Sequence, residues 1–411
     1  MSKVKPIGPI PAGYESRDGE LSIGGTPARA LVAEHGSPLF VYDRGLLHSR
    51  IQALRAAMPP QLHIHYAMKA NPFAPLLAEM VSLVDGIDIA SGGELVMALQ
   101  AGADAEQISF AGPGKRDEEL LSAMQVGVTI NIESPNECER ALAIAASEGL
   151  QPHLAARVNP DFDLKGSGMK MGGGAKQFGM DVDLVAASVQ KILDAGAHWR
   201  GFHIFAGSQA LKAEAIIETQ AQTIALAARL AEQIGHRPEH VNLGGGFGIP
   251  YFPGDKPVDI GQVGTALKQQ LSALPEILSE TQFAVELGRY LVGEAGVYLT
   301  RIIDRKTSQG ETFLVTDGGL HHQLAASGNF GTVIRRNYPA AIATRYGMPS
   351  QEIVSIVGCL CTPLDLLSDH VEMPKAEVGD IVAIFCAGAY GATASPANFL
   401  GQGPAKEILI G

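Results

Sequence analysis

The sequence predicts a (β/α)8 barrel joined to an all-β region, and two observations support this fold class. Between residues 60 and 290, eight short apolar runs rich in β-branched residues alternate with amphipathic segments of helical period. Such repeated strand–helix alternation is typical of a closed parallel barrel. After about Gly293 the helical period fades, and β-type runs follow one another with loops between them.

The predicted barrel strands are short, as buried parallel strands usually are. In chain order they are Leu62–Met68, Val84–Ala90, Ile108–Ala111, Val128–Ile132, His153–Val158, Trp199–Phe205, His240–Leu243 and Phe283–Leu287. Segments such as Gly93–Ala101 and Ile216–Ile234 supply helices between them. The longest gap, Asn159–His198, contains the glycine- and methionine-rich stretch Gly166–Gly174, which we interpret as an active-site loop.

The β-rich region draws on both ends of the chain. Its predicted strands are Val297–Ile303, Thr312–Thr316, Glu352–Val357 and Ile381–Phe385, and residues 8–40 are expected to add strands to the same unit. The predicted organisation is therefore N-terminal strands over residues 1–40, a barrel over 41–290 and a C-terminal β domain over 291–411. Neither an internal repeat nor a low-complexity segment is evident.

Composition excludes several classes of function. With 46% hydrophobic and 18% charged residues, the chain has the make-up of a globular protein with an ample core. Its formal net charge of −12 argues against nucleic-acid and anionic-membrane partners. Apolar runs are too short for a membrane span, and Met1–Leu21 lacks the apolar centre of a signal peptide. We therefore expect a cytoplasmic protein.

The cysteines suggest neither a disulfide framework nor a metal site. Four cysteines are too few and too scattered to cross-link a chain of 411 residues. Cys359 and Cys361 are two residues apart, but no second cysteine or histidine cluster follows at metal-ligand spacing. We predict no metal.

Lys69 is the most informative single residue. It ends an apolar strand-like run and precedes Ala70-Asn71-Pro72, where Asn-Pro indicates a turn. A lysine at the tip of a buried strand can lose hydration, which lowers its pKa and frees the amine to form a Schiff base with an aldehyde cofactor. A solvated charge at a strand end is the alternative for any single lysine.

Other polar and glycine residues also follow the predicted strands. In parallel barrels the carboxyl ends of the strands meet at one mouth, where active sites lie. The sequence therefore predicts an enzyme whose site is assembled from Lys69, Ser91–Gly93, Gly112–Gly114, Asn159, Gly207–Ser208, Gly244–Gly246 and Arg289.

Two of these segments suggest specific chemistry. Gly244, Gly245 and Gly246 follow the seventh strand, where their backbone N–H groups can surround a phosphate; a simple tight turn is the alternative. Glu286, Gly288 and Arg289 end the eighth strand. Glu286 and Arg289 form a structural ion pair, or else the carboxylate faces a pyridine nitrogen and the guanidinium binds a phosphate or carboxylate.

The β-rich tail contains two further candidates. Cys361, in Gly358–Asp365, is either a buried thiol or a proton donor beside a cofactor. Tyr390, flanked by glycines, is either a core tyrosine or a hydroxyl at the site.

Together these motifs resemble the fold-type III decarboxylases that use pyridoxal phosphate, the family of diaminopimelate and ornithine decarboxylases. The resemblance extends from Phe40 to Gly391, and Tyr66–Asn71 and Asp88–Leu95 are similar to the family's segments at the first two strands. It implies an alanine-racemase-like barrel, pyridoxal 5′-phosphate as cofactor, and a homodimer with shared active sites.

The resemblance also implies roles for individual residues. Lys69 would bind the cofactor covalently, Gly244–Gly246 would bind its phosphate with help from Tyr390 and Arg289, and Glu286 would face the pyridine nitrogen. Cys361 would cross to the partner subunit and protonate the substrate carbon. The implied cofactor contacts further include Asp88, His203, Phe205, Ser208 and Gly288, and the implied substrate contacts are Arg289, Arg335, Tyr338, Thr362 and Tyr390.

Departures from the family pattern concern the substrate. Diaminopimelate decarboxylases have a glutamate after the cysteine, and Thr362 stands there in this chain. The family arginine matches Arg335, but the tyrosine after it is displaced to Tyr338. The histidine that stacks on the cofactor is replaced by Phe205, so that either Phe205 stacks or His203 has taken the role.

The combined motifs resemble more closely the decarboxylases associated with bacterial exosortase and exopolysaccharide gene clusters. These are related to enzymes that act on an amino acid tethered to an acyl carrier protein. We therefore expect a decarboxylase of a small amino acid, free or carrier-bound. The alternatives are a meso-diaminopimelate decarboxylase of lysine biosynthesis, an amino-acid racemase and a non-catalytic protein that binds the cofactor.

Overall fold

The structure is a computed structural model that describes residues 4–166, 168–170, 172–328 and 336–411. The chain forms two compact units. The barrel unit comprises Ile51–Gly248 and Pro257–Gly288, and the β unit comprises the chain up to Arg50, Ile249–Lys256 and Arg289–Gly411.

Strands and α-helices are numbered along the chain. The strands are β1 Glu15–Arg17, β2 Glu20–Ile23, β3 Thr26–Pro27, β4 Leu39–Asp43, β5 His63–Ala67, β6 Gly86–Ile89, β7 Ile108–Phe110, β8 Thr129–Ile132, β9 His153–Asn159, β10 Met169–Lys170, β11 Met180–Asp181, β12 His198–Ile204, β13 Gly207–Ser208, β14 His240–Asn242, β15 Gln282–Leu287, β16 Gly296–Ser308, β17 Glu311–Thr316, β18 Ala340–Ile342, β19 Glu352–Val357, β20 Leu366–Met373, β21 Ile381–Ile384 and β22 Lys406–Ile410. The helices are α1 Ala28–His35, α2 Arg44–Ala57, α3 Ala74–Leu83, α4 Gly92–Gln100, α5 Asp117–Val126, α6 Pro135–Glu148, α7 Val182–Asp194, α8 Ala213–Ile234, α9 Ile260–Ser272 and α10 Arg289–Val292.

Eight parallel strands close a barrel within the described part of the barrel unit. They pair in the order β5, β6, β7, β8, β9, β12, β14 and β15, and β15 returns to β5 with Glu286 opposite His65 and Leu287 opposite Tyr66. Helices α3 to α9 connect successive strands. The (β/α)8 barrel predicted from the sequence is confirmed, and each of the eight predicted runs overlaps one barrel strand.

Polar residues start helices directly after the strands. Ser91 Oγ accepts a hydrogen bond from the Glu94 backbone N–H at 3.1 Å, and Glu94 Oε2 accepts one from the Ala90 N–H at 2.6 Å. Ser134 Oγ accepts in the same way from the Glu137 N–H at 3.0 Å. These caps satisfy N–H groups at the beginnings of α4 and α6 and end the preceding strands sharply.

The long gap after β9 contains more structure than a loop. β11 pairs with β9, and α7 follows it. β10 pairs antiparallel with β13, which sets Met169 opposite Ser208. Ser167 and Met171, within the predicted active-site loop, lie outside the described residues.

Both ends of the chain contribute to the main sheet of the β unit. Its order is β18, β21, β16, β17, β19 and β20, and β4 lies between β16 and β22. β1, β2 and β3 form a separate antiparallel sheet. A core that includes Leu21, Ile23, Leu39, Val41, Val297, Leu299, Ile381 and Phe385 packs in this unit. The all-β region built from both termini is therefore confirmed.

No helix in the described parts of the chain has the length and the apolar character that crossing a membrane requires.

Candidate active site

Lys69 lies in a short 3-10 turn that begins where β5 ends. The turn is fixed by a hydrogen bond from the Tyr66 hydroxyl to the Asn71 carbonyl at 2.8 Å and one from the Asn71 N–H to the Met68 carbonyl at 3.0 Å. Met68 and Ala70 are buried, but the Lys69 side chain is exposed. The sequence-based expectation of a dehydrated amine is therefore wrong for the chain by itself, since Lys69 lies in the turn after β5 and not within the buried strand.

Phe205 and Glu94 flank the lysine amine. The Lys69 Nζ lies 6.0 Å from the centroid of the Phe205 ring, which follows directly after β12. Burial raises the pKa of Glu94, and the Ala90 N–H and the nearby Lys69 charge offset only part of that rise. The lysine amine thus lies near one side chain that follows β12 and one in the first turn of α4.

Glu286, on β15, is buried and accepts two hydrogen bonds. His203 Nε2 lies 2.7 Å from Glu286 Oε2, and Asn242 Nδ2 lies 3.4 Å from the same oxygen. Burial by itself raises the pKa of Glu286, but the attraction of His203, its hydrogen bond and the charges of Lys69 and Arg157 outweigh burial and lower that pKa to about 2. The carboxylate is therefore ionised at neutral pH.

The glycine triplet lies beside the backbone of Glu286 and admits no side chain. A Cβ on Gly245 would lie 1.7 Å from the Glu286 carbonyl oxygen, and one on Gly246 would lie 2.3 Å from the Gly207 carbonyl oxygen. Gly244 and Gly246 have φ angles of 70° and 84°, which favour glycine. Such a bare backbone can approach a phosphate closely.

Asp88 and Gly288 lie next to the lysine turn. Asp88 pairs in register with Ala67; its Oδ1 lies 3.4 Å from His65 Nδ1, and its buried Oδ2 has no hydrogen-bond partner among the described residues. A Cβ on Gly288 would lie 2.9 Å from the Ala70 Cβ. The barrel unit thus places Asp88 and Gly288 beside the lysine turn, and His203 and the glycine triplet beside Glu286.

The β unit has its own cluster around Arg289. The Arg289 Nη1 donates to the Tyr251 hydroxyl at 2.9 Å, and its Cζ lies 4.7 Å from the centroid of the Tyr390 ring. Burial lowers the pKa of Arg289, but Tyr251 and Tyr390 raise it above its usual range. The Tyr338 ring lies 4.7 Å from the Tyr251 ring.

Tyr251 was not identified from the sequence. The signal available was the aromatic pair Tyr251-Phe252 shortly after the glycine triplet. Arg336 lies 3.9 Å from the Phe252 ring centroid. Arg335, a predicted substrate contact, lies outside the described residues.

Cys361 and Thr362 lie in the turn between β19 and β20. The buried Asp365 carboxylate fixes this turn, because its Oδ2 accepts from the Leu360 N–H at 2.8 Å and its Oδ1 from the Leu320 N–H at 2.6 Å. Cys361 is exposed and Thr362 is partly exposed. The turn therefore presents a thiol and a hydroxyl on its outer side.

The barrel and its site define a class of protein. An amine at a strand end, a buried ionised carboxylate and a side-chain-free glycine turn fit a phosphorylated aldehyde cofactor with a ring nitrogen. Asp88 Oδ2 and His203 Nδ1 are buried without described hydrogen-bond partners, as expected of groups that contact a bound molecule.

Comparison with known proteins identifies the family. A family model described as pyridoxal-dependent decarboxylase, pyridoxal binding domain, matches residues 44–293. The chain belongs to this family, the fold-type III decarboxylases, whose members are carboxy-lyases that use pyridoxal phosphate.

Individual relatives align over almost the whole chain. An L-glutamyl-[BtrI acyl-carrier protein] decarboxylase of Niallia circulans is 36% identical over 386 residues, which cover 92% of this chain and 90% of that protein. A diaminopimelate decarboxylase of Aquifex aeolicus is 31% identical over 408 residues, covering 96% and 92%. The crystal structure of diaminopimelate decarboxylase from M. jannaschii in co-complex with L-lysine has a TM-score of 0.89 at 26% identity, covering 97% and 92%.

Proposed function

We propose that this protein removes the α-carboxylate of a small amino acid tethered to an acyl carrier protein, and that it works as a homodimer with shared active sites. Thr362 carries the substrate part of this proposal, because it stands where diaminopimelate decarboxylases have a glutamate. The Niallia circulans relative, which is named for a carrier-bound glutamyl group, supports the same substrate class. The likeness to the exosortase-associated subgroup and a cytoplasmic location stay predictions.

The residues of the barrel unit are suited to hold the cofactor. We assign Lys69 to the covalent bond, Gly244–Gly246 and Ser208 to the phosphate, and Glu286 to the ring nitrogen. Phe205 is the better candidate for stacking on the ring, because it lies near the lysine amine while His203 is held by Glu286. Asp88 and Gly288 shape the floor beside the lysine turn.

The chemistry divides between the cofactor and the chain. When bound, pyridoxal phosphate supplies an electron-withdrawing ring that accepts the electron pair of the broken carbon–carboxylate bond. Glu286 would favour a proton on the ring nitrogen of the bound cofactor, because its own pKa of about 2 leaves it negatively charged. His203 holds that carboxylate in one orientation through the 2.7 Å hydrogen bond.

The β unit supplies the remaining groups. We assign Arg289 and Tyr390 to the phosphate or the substrate carboxylate, Tyr338 and Arg335 to the substrate, and Cys361 to proton delivery at the carbon that loses carbon dioxide. Cys361 is exposed, which suits a thiol that serves the site of a partner subunit. Thr362 faces the far end of the substrate.

A decarboxylation panel tests this proposal. Carbon dioxide release is measured with meso-diaminopimelate, lysine, ornithine, arginine, free glutamate and glutamate thioesterified to a carrier protein. We expect the carrier conjugate to be the best substrate. Preferred turnover of meso-diaminopimelate would instead assign the protein to lysine biosynthesis, and inversion of the α-carbon without carbon dioxide release would make it a racemase.

Lys69→Ala serves as the control for the cofactor. We expect the variant to lose both carbon dioxide release and the visible absorbance of the lysine-bound cofactor while its circular dichroism is unchanged. If the wild type binds the cofactor but acts on none of the panel, the non-catalytic alternative replaces the proposal.

A further inference from the structure

A groove on the β unit runs along one face of its sheet and ends at the cysteine turn. The groove has a volume of about 600 Å3, within the range of ligand sites. It is lined by residues that include Lys306, Phe313, Val315, Val357, Thr362 and Leu366. We call it the sheet groove.

The floor of the sheet groove is an apolar stripe on the outer face of the sheet. Val315, Val357 and Leu366 lie side by side in register on three neighbouring strands, and all three are only partly buried. The alternate residues Leu314, Ile356 and Leu367 are fully buried on the opposite face. A sheet face turned to water is normally polar, so that this stripe indicates a surface that contacts another molecule.

The two ends of the groove differ in chemistry. At one end lie Thr362 and the half-buried Cys359, within the turn that carries Cys361. At the other end Lys306 is opposite Phe313, and Phe313 is opposite Ser355. Lys306 is exposed and forms no ion pair with any described residue.

The remaining charged groups of the groove are already satisfied. Asp369 pairs with Lys5 and with His370, and His370 also lies 3.2 Å from Glu311. Lys306 is therefore the group along these walls that is available for an incoming anion. From Ser355 to Cys359 the chain advances four residues, which is roughly 13 Å of extended backbone. The cation and the turn thus lie at opposite ends of an elongated site.

Thr362 connects this groove to the substrate. The proposed function assigns Thr362 to the end of the substrate remote from the reacting carbon. Because Thr362 holds that position and also lines the groove, a group attached to the far end of the substrate leaves along the groove. A ligand of the sheet groove therefore needs an apolar middle part and an anionic group at the end that is remote from Thr362.

We propose that the sheet groove binds the 4′-phosphopantetheine arm of the carrier-tethered substrate, with the thioester at Thr362 and the phosphate at Lys306. This inference rests on the proposed function. The arm carries a phosphate that suits a free lysine, a dimethyl group next to that phosphate that suits the Phe313 ring opposite Lys306, and methylenes nearer the thioester that suit the Val315–Val357 stripe. The decarboxylation chemistry itself is independent of the groove.

The test compares two small thioesters as substrates of the dimeric holoenzyme. Glutamate is thioesterified through its side-chain carboxyl to 4′-phosphopantetheine or to pantetheine, which lacks the phosphate, and KM and kcat are measured for each. We expect the phosphorylated compound to have a KM about five- to tenfold lower, as one phosphate–lysine contact allows. Lys306→Glu removes this difference, and Val315→Trp raises both KM values at least tenfold by filling the groove.

Matched controls separate the groove from general effects. Lys406→Glu reverses an exposed charge elsewhere in the same unit, and Val378→Trp adds an indole at another exposed position. Both should behave as the wild type, and none of the four variants should change turnover of a free amino acid substrate. Binding of S-methyl phosphopantetheine, measured by calorimetry, supplies a readout besides activity.

Three outcomes overturn the groove assignment. They are equal KM values for the two thioesters, unchanged KM values in Lys306→Glu and Val315→Trp, or conversion of the Val315→Trp holoenzyme to monomers, which would make the groove a subunit contact. Failure of the proposed function is recognised separately, because the wild type would then release no carbon dioxide from any thioester or free amino acid.

Discussion

Nε2 of His203 lies 2.7 Å from Oε2 of Glu286, and both side chains are almost completely buried inside the barrel. They come from strands β12 and β15, which are separated by β14 in the ring. A buried carboxylate is stable only when it is paired, so that this contact keeps Glu286 ionised and fixed in direction. Glu286 is the group from which the chemistry of the site is best tested.

Glu286→Gln should reduce the rate of decarboxylation by at least about 100-fold, because a neutral amide does not hold a proton on the ring nitrogen. The visible absorbance of the cofactor should persist, since Lys69 and the glycine turn are unchanged. Stopped-flow measurement of carbon dioxide release at saturating substrate checks the rate. A loss of less than threefold would contradict the assignment of Glu286.

Phe205→Ala should weaken cofactor retention about threefold to tenfold, because one ring contact is lost. Phe205→His restores the family residue and should stay within about threefold of the wild type. Dialysis against cofactor-free buffer, followed by absorbance, gives the dissociation constants. If Phe205→Ala binds as the wild type does while His203→Ala releases the cofactor, His203 is the stacking residue.

Gly245→Ala should destabilise the barrel by about 1–3 kcal/mol or more, because its Cβ would overlap the Glu286 carbonyl oxygen. The variant should also lose affinity for inorganic phosphate and for the cofactor. Gly114→Ala is the matched control for stability, since a Cβ there meets nothing within 4 Å. Urea unfolding of both variants measures the difference.

Glu133 offers a test of electrostatics through its buried ion pair with Arg157. It accepts hydrogen bonds from the N–H groups of Gly112 and Gly179 and from Arg157, whose Nη1 lies 2.6 Å away. Burial raises the pKa of Glu133, but Arg157 and Lys115 outweigh burial and lower it. Since the pKa is lowered on folding, Glu133 stabilises the protein above its unfolded pKa, and this stabilisation is lost as the pH falls below it.

Glu133→Gln should therefore lower the free energy of unfolding by about 3–5 kcal/mol at pH 7, because Arg157 is left buried without its partner. The difference in free energy of unfolding between the variant and the wild type should decrease as the pH is lowered from 5 toward 3. Glu118→Gln removes an exposed ion pair with Arg116 and should leave the free energy of unfolding nearly unchanged at either pH. If the difference in free energy of unfolding between variant and wild type did not change with pH, Glu133 would act through packing and not through its charge.

Shared active sites predict complementation between inactive variants. Lys69→Ala and Cys361→Ala homodimers should each have little activity. After subunit exchange, a mixed dimer has one site with both residues intact, so that an equal mixture should recover about a quarter of wild-type activity. If both residues serve a site within one chain, mixing restores nothing. A mixture of Lys69→Ala with a second Lys69 variant provides the negative control.

The sequence predicted the barrel well because its signals are local. Each of the eight apolar runs, from Leu62–Met68 to Phe283–Leu287, became a barrel strand, and the glycine triplet became a side-chain-free turn. The short strands Ala340–Ile342 and Lys406–Ile410 were missed, since few residues and mixed polarity give little periodicity. The groups at the strand ends were also foreseeable, because chain order alone places them at the carboxyl ends of parallel strands.

The sequence by itself thus determined the eight-stranded barrel, the lysine at its first strand and the family to which the chain belongs. Tertiary structure alone decided that His203 pairs with Glu286, that Tyr251 joins Arg289, that Lys69 is exposed and that a groove leads away from Thr362. The physical reason is the distance along the sequence over which each kind of interaction acts. Hydrophobic period and turn residues act over a few positions, whereas these contacts join residues tens of positions apart and depend on strand register and on the path of each turn.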